Sequence, residues 1–307
     1  MKQVRPKKNL GQHFLVDLNI ARRIADTVDE PFPDLPVLEV GPGMGVMTQY
    51  LVQKPRPLKV VEIDRESVKY LTSKFGWKVE GGGLKENASA TESLHDGILP
   101  PPSTFNPPPS TLHLPPSTLH PPRIIMGDFL RMDLHEVFGG QQFVLTGNYP
   151  YDISSQIFFK MLDNKELIPC CTGMIQHEVA LRMAATPGNK QYGILSVLIQ
   201  AWYDVEYLFT VGPDVFNPPP KVQSAVIRMT RNSVTDLGCD EQLFRRVVKA
   251  TFNQRRKMLR VSLRQLIPSN SESSILNSQF ATLRPEQLTI PQFVELTNLV
   301  DEVLSKQ

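Results

Sequence analysis

The stretch Glu39-Val-Gly-Pro-Gly-Met-Gly45, set between a short apolar run and a helical pattern, restricts the fold more than any other part of this 307-residue chain. Glycines in such a turn let the backbone bend sharply and approach a bound ligand at the carboxyl end of a parallel sheet. A dinucleotide fingerprint would need its third glycine at position 46, which is Val46. The spacing therefore argues against a nicotinamide dinucleotide and for another adenosine cofactor, with Gly41 and Gly43 as contacts. Glu62 closes the next apolar run, where a carboxylate can accept both hydroxyls of a ribose.

Around this turn, β-branched runs alternate with helical patterns. The runs are Val37-Leu-Glu-Val40, Lys59-Val-Val-Glu-Ile63, Arg123-Ile-Ile-Met126, Phe143-Val-Leu-Thr146 and Thr172-Gly-Met-Ile175. Helices are expected over 46–53, 66–75 and 154–162, the last with Asp152 as its N-cap. This is the pattern of an α/β, doubly wound, Rossmann-like sheet. Two further runs, Tyr203 to Val211 and Ser224 to Met229, are joined by a Pro-rich turn and predict an antiparallel pair closing one edge. Beyond Asn232 the pattern is helical, over 241–251, 255–266 and 291–304. Two domains are expected, 1–231 and a small helical one, 232–307.

Residues 81–122 interrupt the alternation with Gly81-Gly-Gly83 and Pro-Pro-Ser-Thr units starting at Pro101, Pro108 and Pro115. Such a composition buries too little apolar surface to offset chain entropy, so a solvated surface insertion is expected. No apolar run reaches the ~20 residues of a membrane span, and no signal core follows the basic N-terminus. A soluble, cytoplasmic protein is expected, with reduced thiols, since Cys170 and Cys171 are adjacent and three cysteines suit neither a disulfide framework nor a zinc site. His177-Glu178 matches the start of a zinc-protease motif, but position 181 is Leu181, so no metal is expected.

Two more motifs follow strands. Asp128, in Met126-Gly-Asp-Phe129, can accept an adenine amine, or simply cap a turn. Asn148-Tyr-Pro-Tyr151 has a more particular chemistry. The N6 lone pair of adenine is delocalised into the ring, so an enzyme that alkylates it must draw both amine hydrogens to acceptors and aim the lone pair at the electrophile. The Asn148 side-chain oxygen can take one hydrogen and the Pro150 carbonyl the other, while the proline stiffens the loop. Tyr151 offers a face for an extruded base, and its π cloud favours positive charge on N6.

With these motifs assembled, the sequence resembles the small-subunit ribosomal RNA adenine dimethyltransferases over nearly the whole chain outside 81–122. The resemblance rests on Lys8-Asn-Leu-Gly-Gln-His-Phe-Leu15, the glycine turn, Val61-Glu-Ile-Asp64, Gly127-Asp128, Asn148-Tyr-Pro-Tyr-Asp-Ile-Ser-Ser155, Phe216-Asn-Pro-Pro-Pro-Lys-Val-Gln-Ser224 and Phe252-Asn-Gln-Arg-Arg-Lys257. It implies a seven-stranded methyltransferase sheet with a helical C-terminal domain, and S-adenosylmethionine as methyl donor. It implies cofactor contacts from His13, Leu15, Gly41, Glu62, Asp128 and Asn148, and makes Phe216 the aromatic that closes on the base opposite Tyr151. Three positions depart from the family pattern: Tyr149 where Leu is common, Asp152 where Asn is usual, and His13 where Asn is frequent.

Net charge is only +2, so affinity for nucleic acid must come from local clustering. Arg245, Arg246, Lys249, Arg255, Arg256, Lys257, Arg260 and Arg264 fall within one stretch free of acidic residues. They are read as a phosphate-binding face, with Lys2, Arg5, Lys7 and Lys8 as a second basic arm. The resemblance implies dimethylation of two adjacent adenines near the 3′ end of small-subunit RNA, within a pre-ribosomal particle, by a monomer. Two other readings stay open: a large-subunit dimethyltransferase conferring antibiotic resistance, and an assembly factor for which methylation is secondary.

Overall fold

The strand runs carry apolar side chains on both faces, as a parallel sheet covered on two sides requires. In the computed structural model, which describes residue 7 and residues 12–80, 122–267 and 278–306, they form an eight-stranded sheet. Its strands are β2 (Val37–Val40), β3 (Leu58–Glu62), β4 (Lys78–Glu80), β5 (Arg123–Met126), β6 (Val144–Asn148), β7 (Cys170–Gln176), β8 (Tyr203–Val211) and β10 (Ser224–Arg231). The order is β4-β5-β3-β2-β6-β7-β10-β8. All neighbours are parallel except β10, which runs antiparallel to both β7 and β8. Two short strands, β1 (Phe14–Leu15) and β9 (Phe216–Asn217), pair antiparallel in a separate ribbon.

Seven of these sheet strands are the ones the sequence predicts; the eighth, β4, is an addition. Lys78-Val-Glu80 is too short and too polar to read as a strand. The sheet edge recruits it through backbone pairing with β5, and Glu80 bridges Lys59 and Arg123 at 2.9 Å each. The expected insertion, which begins at the next residue, lies outside the described residues except for Pro122.

Alternation along the strands divides the interior. Val37, Val60 and Val144 point into a core with α1 (Leu18–Asp26), α2 (Thr48–Leu51) and α3 (Arg65–Phe75). Leu38, Val61 and Leu145 point into the opposite core, shared with α4 (Ser154–Asp163), α5 (His177–Met183) and α6 (Ile194–Gln200). The chain after β10 is helical: α7 (Glu241–Asn253), the single turn α8 (Leu259–Ser262) and α9 (Ile290–Ser305). Their apolar faces, through Phe244, Val248, Phe293 and Val300, join that same second core.

Among the described residues, four of the nine helix starts are fixed by a capping side chain. Asp17, Asp64 and Asp240 cap α1, α3 and α7 by accepting backbone N–H bonds, and Thr289 caps α9. Two expectations need correction. Asp152 does not cap α4: Ile153 holds the cap position, with no side-chain bond to the helix. The helix expected over 255–266 is broken, because α7 ends at Asn253 and the chain turns before α8 and a 3-10 turn over Leu263–Gln265. The turn lets Leu259 and Leu263 reach the core, which one straight continuation of α7 would not allow.

Candidate functional site

At the carboxyl ends of β2, β3, β5 and β6 lies a cavity of about 280 Å³. An open α/β sheet places its ligands here, because the loops leaving adjacent strands diverge at this end. Its walls bring together His13, Leu15, Gly41, Gly43, Glu62, Asp128, Asn148, Pro150 and Tyr151, residues up to 138 positions apart.

The glycine turn is built from left-handed conformations, with φ of +68° at Gly41, +54° at Gly43 and +69° at Gly45. A side chain at Gly41 would meet no atom within 4 Å and would project into the cavity space, whereas one at Gly45 would strike Phe75 at 2.7 Å and Leu71 at 2.9 Å. The first glycine thus keeps the cavity open and the third lets α3 close against the turn. Glu62 is almost wholly buried; it accepts from the Gly43 N–H at 3.1 Å and the Asp64 N–H at 2.9 Å. Burial raises its pKa despite these bonds. Each of its oxygens keeps a second lone pair for a hydroxyl donor. Asp128 accepts from the Leu130 N–H at 2.9 Å and lies 3.5 Å from the Arg131 guanidinium.

Across the cavity, Asn148 is the last residue of β6, on the strand itself instead of after it. Its Nδ2 donates to the His13 carbonyl at 3.4 Å, an orientation that leaves Oδ1 for an incoming donor. The Pro150 carbonyl accepts from the Ile153 N–H at 3.2 Å and has one lone pair left. The Tyr151 hydroxyl pairs with Ser224 Oγ at 2.5 Å, tying the loop to the start of β10, and burial raises the phenol's pKa. Beneath the loop, Tyr149 is buried in the core; its hydroxyl donates to the Thr172 carbonyl at 3.0 Å and its ring meets Phe158 edge-on. The departure at position 149 is therefore a matter of packing below the site.

The structure separates some predicted residues from the cavity. Phe216 does not line it: the ring is buried in the β1/β9 ribbon, paired in register with Leu15. The ring that faces Tyr151 is His13, with centroids 5.9 Å apart and planes 27° from parallel. His13 Nδ1 in turn donates to the Pro218 carbonyl at 2.9 Å, so the Phe216 segment positions His13 instead of covering a base in this conformation. Lys7, read as part of a basic arm, pairs with Asp64 at 2.6 Å and Glu66 at 3.3 Å, and its charge is neutralised beside Glu62. Lys2, Arg5 and Lys8 lie outside the described residues.

The basic stretch is divided as well. Arg245 is paired to Asp163, and Arg255 donates to the Asn189 carbonyl and faces Glu286 at 3.9 Å. Both hold the helical segment against the sheet side. Arg246, Lys249, Arg256, Lys257, Arg260 and Arg264 are exposed. Among the described residues no group of three or more His, Cys, Asp or Glu side chains is placed to hold a metal ion, and no helix is long and apolar enough to cross a membrane.

Phe14 and Glu39 are among the cavity residues not assigned a role from the sequence. Phe14 lies over the glycine turn, 3.1 Å from where a Cβ on Gly43 would sit. Glu39 lines the floor of the cavity, accepts from Thr48 Oγ1 at 2.7 Å, and is pushed by burial up to about 8. A carboxylate inside a fully buried four-residue strand was the available signal for Glu39; Phe14 had none, since it reaches the turn through the pairing of β1 with β9.

A sequence profile described as ribosomal RNA adenine dimethylase matches residues 3–81 and 112–300. A protein of Bacteroides thetaiotaomicron named ribosomal RNA small subunit methyltransferase A is 56% identical, the alignment covering 99% of this chain and 97% of that one. Among solved structures, a dimethyladenosine transferase from Plasmodium falciparum superposes with a TM-score of 0.67 at 20% identity, covering 96% of this chain and 98% of that one. The 23S rRNA methyltransferase ErmE gives 0.57 at 24% identity, covering 94% and 99%. At these identities the two structures speak to the fold.

Proposed function

Because this chain belongs to the ribosomal RNA adenine dimethylase family, we propose that it transfers methyl groups from S-adenosylmethionine to the N6 amines of two adjacent adenines near the 3′ end of small-subunit RNA. The product at each site is N6,N6-dimethyladenosine, made on a pre-ribosomal particle in the cytoplasm by a monomer. The small-subunit name of the 56% identical relative favours this substrate over large-subunit RNA.

The observation that carries the reading is the shared cavity: Asn148, Pro150 and Tyr151 stand on one wall and Gly41, Gly43 and Glu62 on another. These residues fit an adenosine-bearing donor. Gly41 leaves room for it, Glu62 and Asp128 keep lone pairs for a ribose and an adenine amine, and Phe14, Leu15 and Val61 supply apolar surface. When bound, S-adenosylmethionine supplies an electrophilic methyl on a sulfonium.

The chain's own part is orientation and charge. Asn148 Oδ1 and the Pro150 carbonyl accept the two N6 hydrogens, which turns the nitrogen lone pair out of conjugation with the ring and toward the donor's side of the cavity. Tyr151 stacks on the flipped base, and its ring face favours the positive charge growing on nitrogen. His13 backs Tyr151 and, through its carbonyl, fixes the Asn148 amide. The exposed cations after β10, within the proposed helical domain 232–307, bind RNA phosphates and make affinity fall with salt.

The test is to incubate the protein with labelled S-adenosylmethionine and unmethylated small subunits, digest the RNA and identify the nucleosides. Dimethyladenosine is expected. The Asn148→Ala variant should lose about 10³-fold in kcat, as removal of a directing hydrogen-bond group does elsewhere, while binding of S-adenosylhomocysteine persists. Wild-type transfer by that variant would overturn the role given to Asn148.

A further inference from the structure

Each transfer to N6 leaves the nitrogen positively charged and with one hydrogen too many, and two transfers on one amine release two protons. Until the first proton leaves, the monomethylated nitrogen has no lone pair for a second methyl. The acceptors already described orient hydrogens but are ill suited to take one away. Asn148 offers an amide oxygen and Pro150 a peptide carbonyl, both neutral, and the Tyr151 phenol is already paired with Ser224 Oγ, with burial raising its pKa. Of the carboxyls lining the cavity, Glu39 is bonded to Thr48 at the floor, Glu62 to two backbone N–H groups, and Asp128 to the Leu130 N–H beside Arg131.

Asp152 is different. It lines the same cavity next to Tyr151, is exposed, and takes part in no hydrogen bond or ion pair with the described residues. It also leaves unused the capping role its chemistry would allow, since Ile153 occupies the cap of α4. An exposed aspartate that lines the cavity beside Tyr151, and that neither caps α4 nor pairs with another of the described residues, has a carboxylate available to a ligand.

We propose that Asp152 is a catalytic residue that takes the surplus proton from N6 after each methyl transfer. The N–H bond breaks with its electron pair left on nitrogen, an O–H bond forms on the Asp152 carboxylate, and the proton passes from that exposed side chain to solvent. Before the proton moves, the negative charge also favours the cation forming on nitrogen. The inference rests on the adenine-methylating reading of the site.

The experiment compares the full-length wild type, Asp152→Asn, Asp152→Ala and Asn148→Ala on unmethylated small subunits, with nucleosides resolved into mono- and dimethyladenosine. Proton transfer by a positioned side chain contributes ~10²–10⁴-fold, so for an exposed group we expect Asp152→Asn to lose at least about tenfold in kcat. KM for subunits and affinity for S-adenosylhomocysteine should hold within about twofold, and N6-monomethyladenosine should accumulate as a released product. Added formate should restore part of the Asp152→Ala rate by standing in for the missing carboxylate. Wild-type kcat with no monomethyl product in Asp152→Asn would overturn the proposal, as would a slow Asp152→Ala that formate leaves slow. If the wild type yields no dimethyladenosine, the broader reading falls and this one with it; an active wild type, an inactive Asn148→Ala and an unimpaired Asp152→Asn would sink this inference alone.

Discussion

Replacing Glu39 by glutamine should make the protein more stable at neutral and alkaline pH and flatten its stability profile. Glu39 stands in the middle of β2, nearly inaccessible to water, with Glu62 nearby. Burial, reinforced by Glu62 and opposed by the Thr48 hydroxyl and Lys74, lifts its pKa from 4.5 to about 8. Below 4.5 the carboxyl is protonated in the folded and unfolded chains alike and contributes no difference. Between 4.5 and 8 the unfolded chain releases the proton while the folded one retains it, so rising pH favours unfolding. Above 8 both are ionised and the penalty stays constant. Each tenfold mismatch in proton affinity is worth about 1.4 kcal/mol, which sets a ceiling near ~5 kcal/mol over this interval; relaxation around the charge brings the expected loss to about 2–5 kcal/mol. Glutamine keeps the oxygen that accepts from Thr48 and removes the charge. Urea unfolding of both proteins at pH 5, 6, 7, 8 and 9 (assay values, roughly spaced to bracket the transition) measures the difference. The two curves should diverge steadily from pH ~5 to ~8 and then run parallel. Curves parallel throughout would show that Glu39 ionises in the folded state as it does in water, and would refute the argument from burial.

The glycine turn gives a paired prediction. Gly45→Ala combines a left-handed backbone with contacts at 2.7 and 2.9 Å to Phe75 and Leu71, and should cost roughly 2–4 kcal/mol in denaturant unfolding. Gly41→Ala meets nothing within 4 Å, so its stability loss should stay near ~1–2 kcal/mol, while titration calorimetry should find S-adenosylhomocysteine affinity reduced by the methyl group in the cavity. For the basic face, the Arg256→Ala/Arg260→Ala double variant should lower the slope of log K against log salt for small-subunit RNA by about one to two. Arg245→Ala should leave that slope unchanged and lower stability, because its charge is spent on Asp163.

The parts of the site that could be read without a structure are those whose determinants lie within a few residues of one another. The glycine turn is one, since its three left-handed positions are demanded by the local path of the chain. Glu62 at a strand end and Asn148-Tyr-Pro-Tyr151 are others. The errors share a different character. Asp152 is chemically a capping residue, and only the path of the loop over Tyr149 left the cap to Ile153. Arg245 and Arg255 look like their neighbours in sequence, yet partners 82 and 66 residues away engage them, unlike the exposed cations of the proposed phosphate-binding face. The single helix expected over 255–266 is reduced to one α-turn and a 3-10 turn, with Leu259 and Leu263 buried in the core.

What residue order alone determined was the alternation of strands and helices, the glycine turn that lines one wall of the cavity, and the Asn148-Tyr-Pro-Tyr151 segment at the end of β6, because periodicity, glycine conformation and strand ends are set by neighbours along the chain. Tertiary structure decided which ring faces Tyr151, why Phe216 is buried, and that Lys7 clamps Asp64. Those outcomes depend on the β1/β9 ribbon, where His13 meets Pro218 across 205 residues. A contact over such a separation leaves no periodic trace in either segment, because it depends on the fold bringing residues 13 and 218 to the same edge of the cavity.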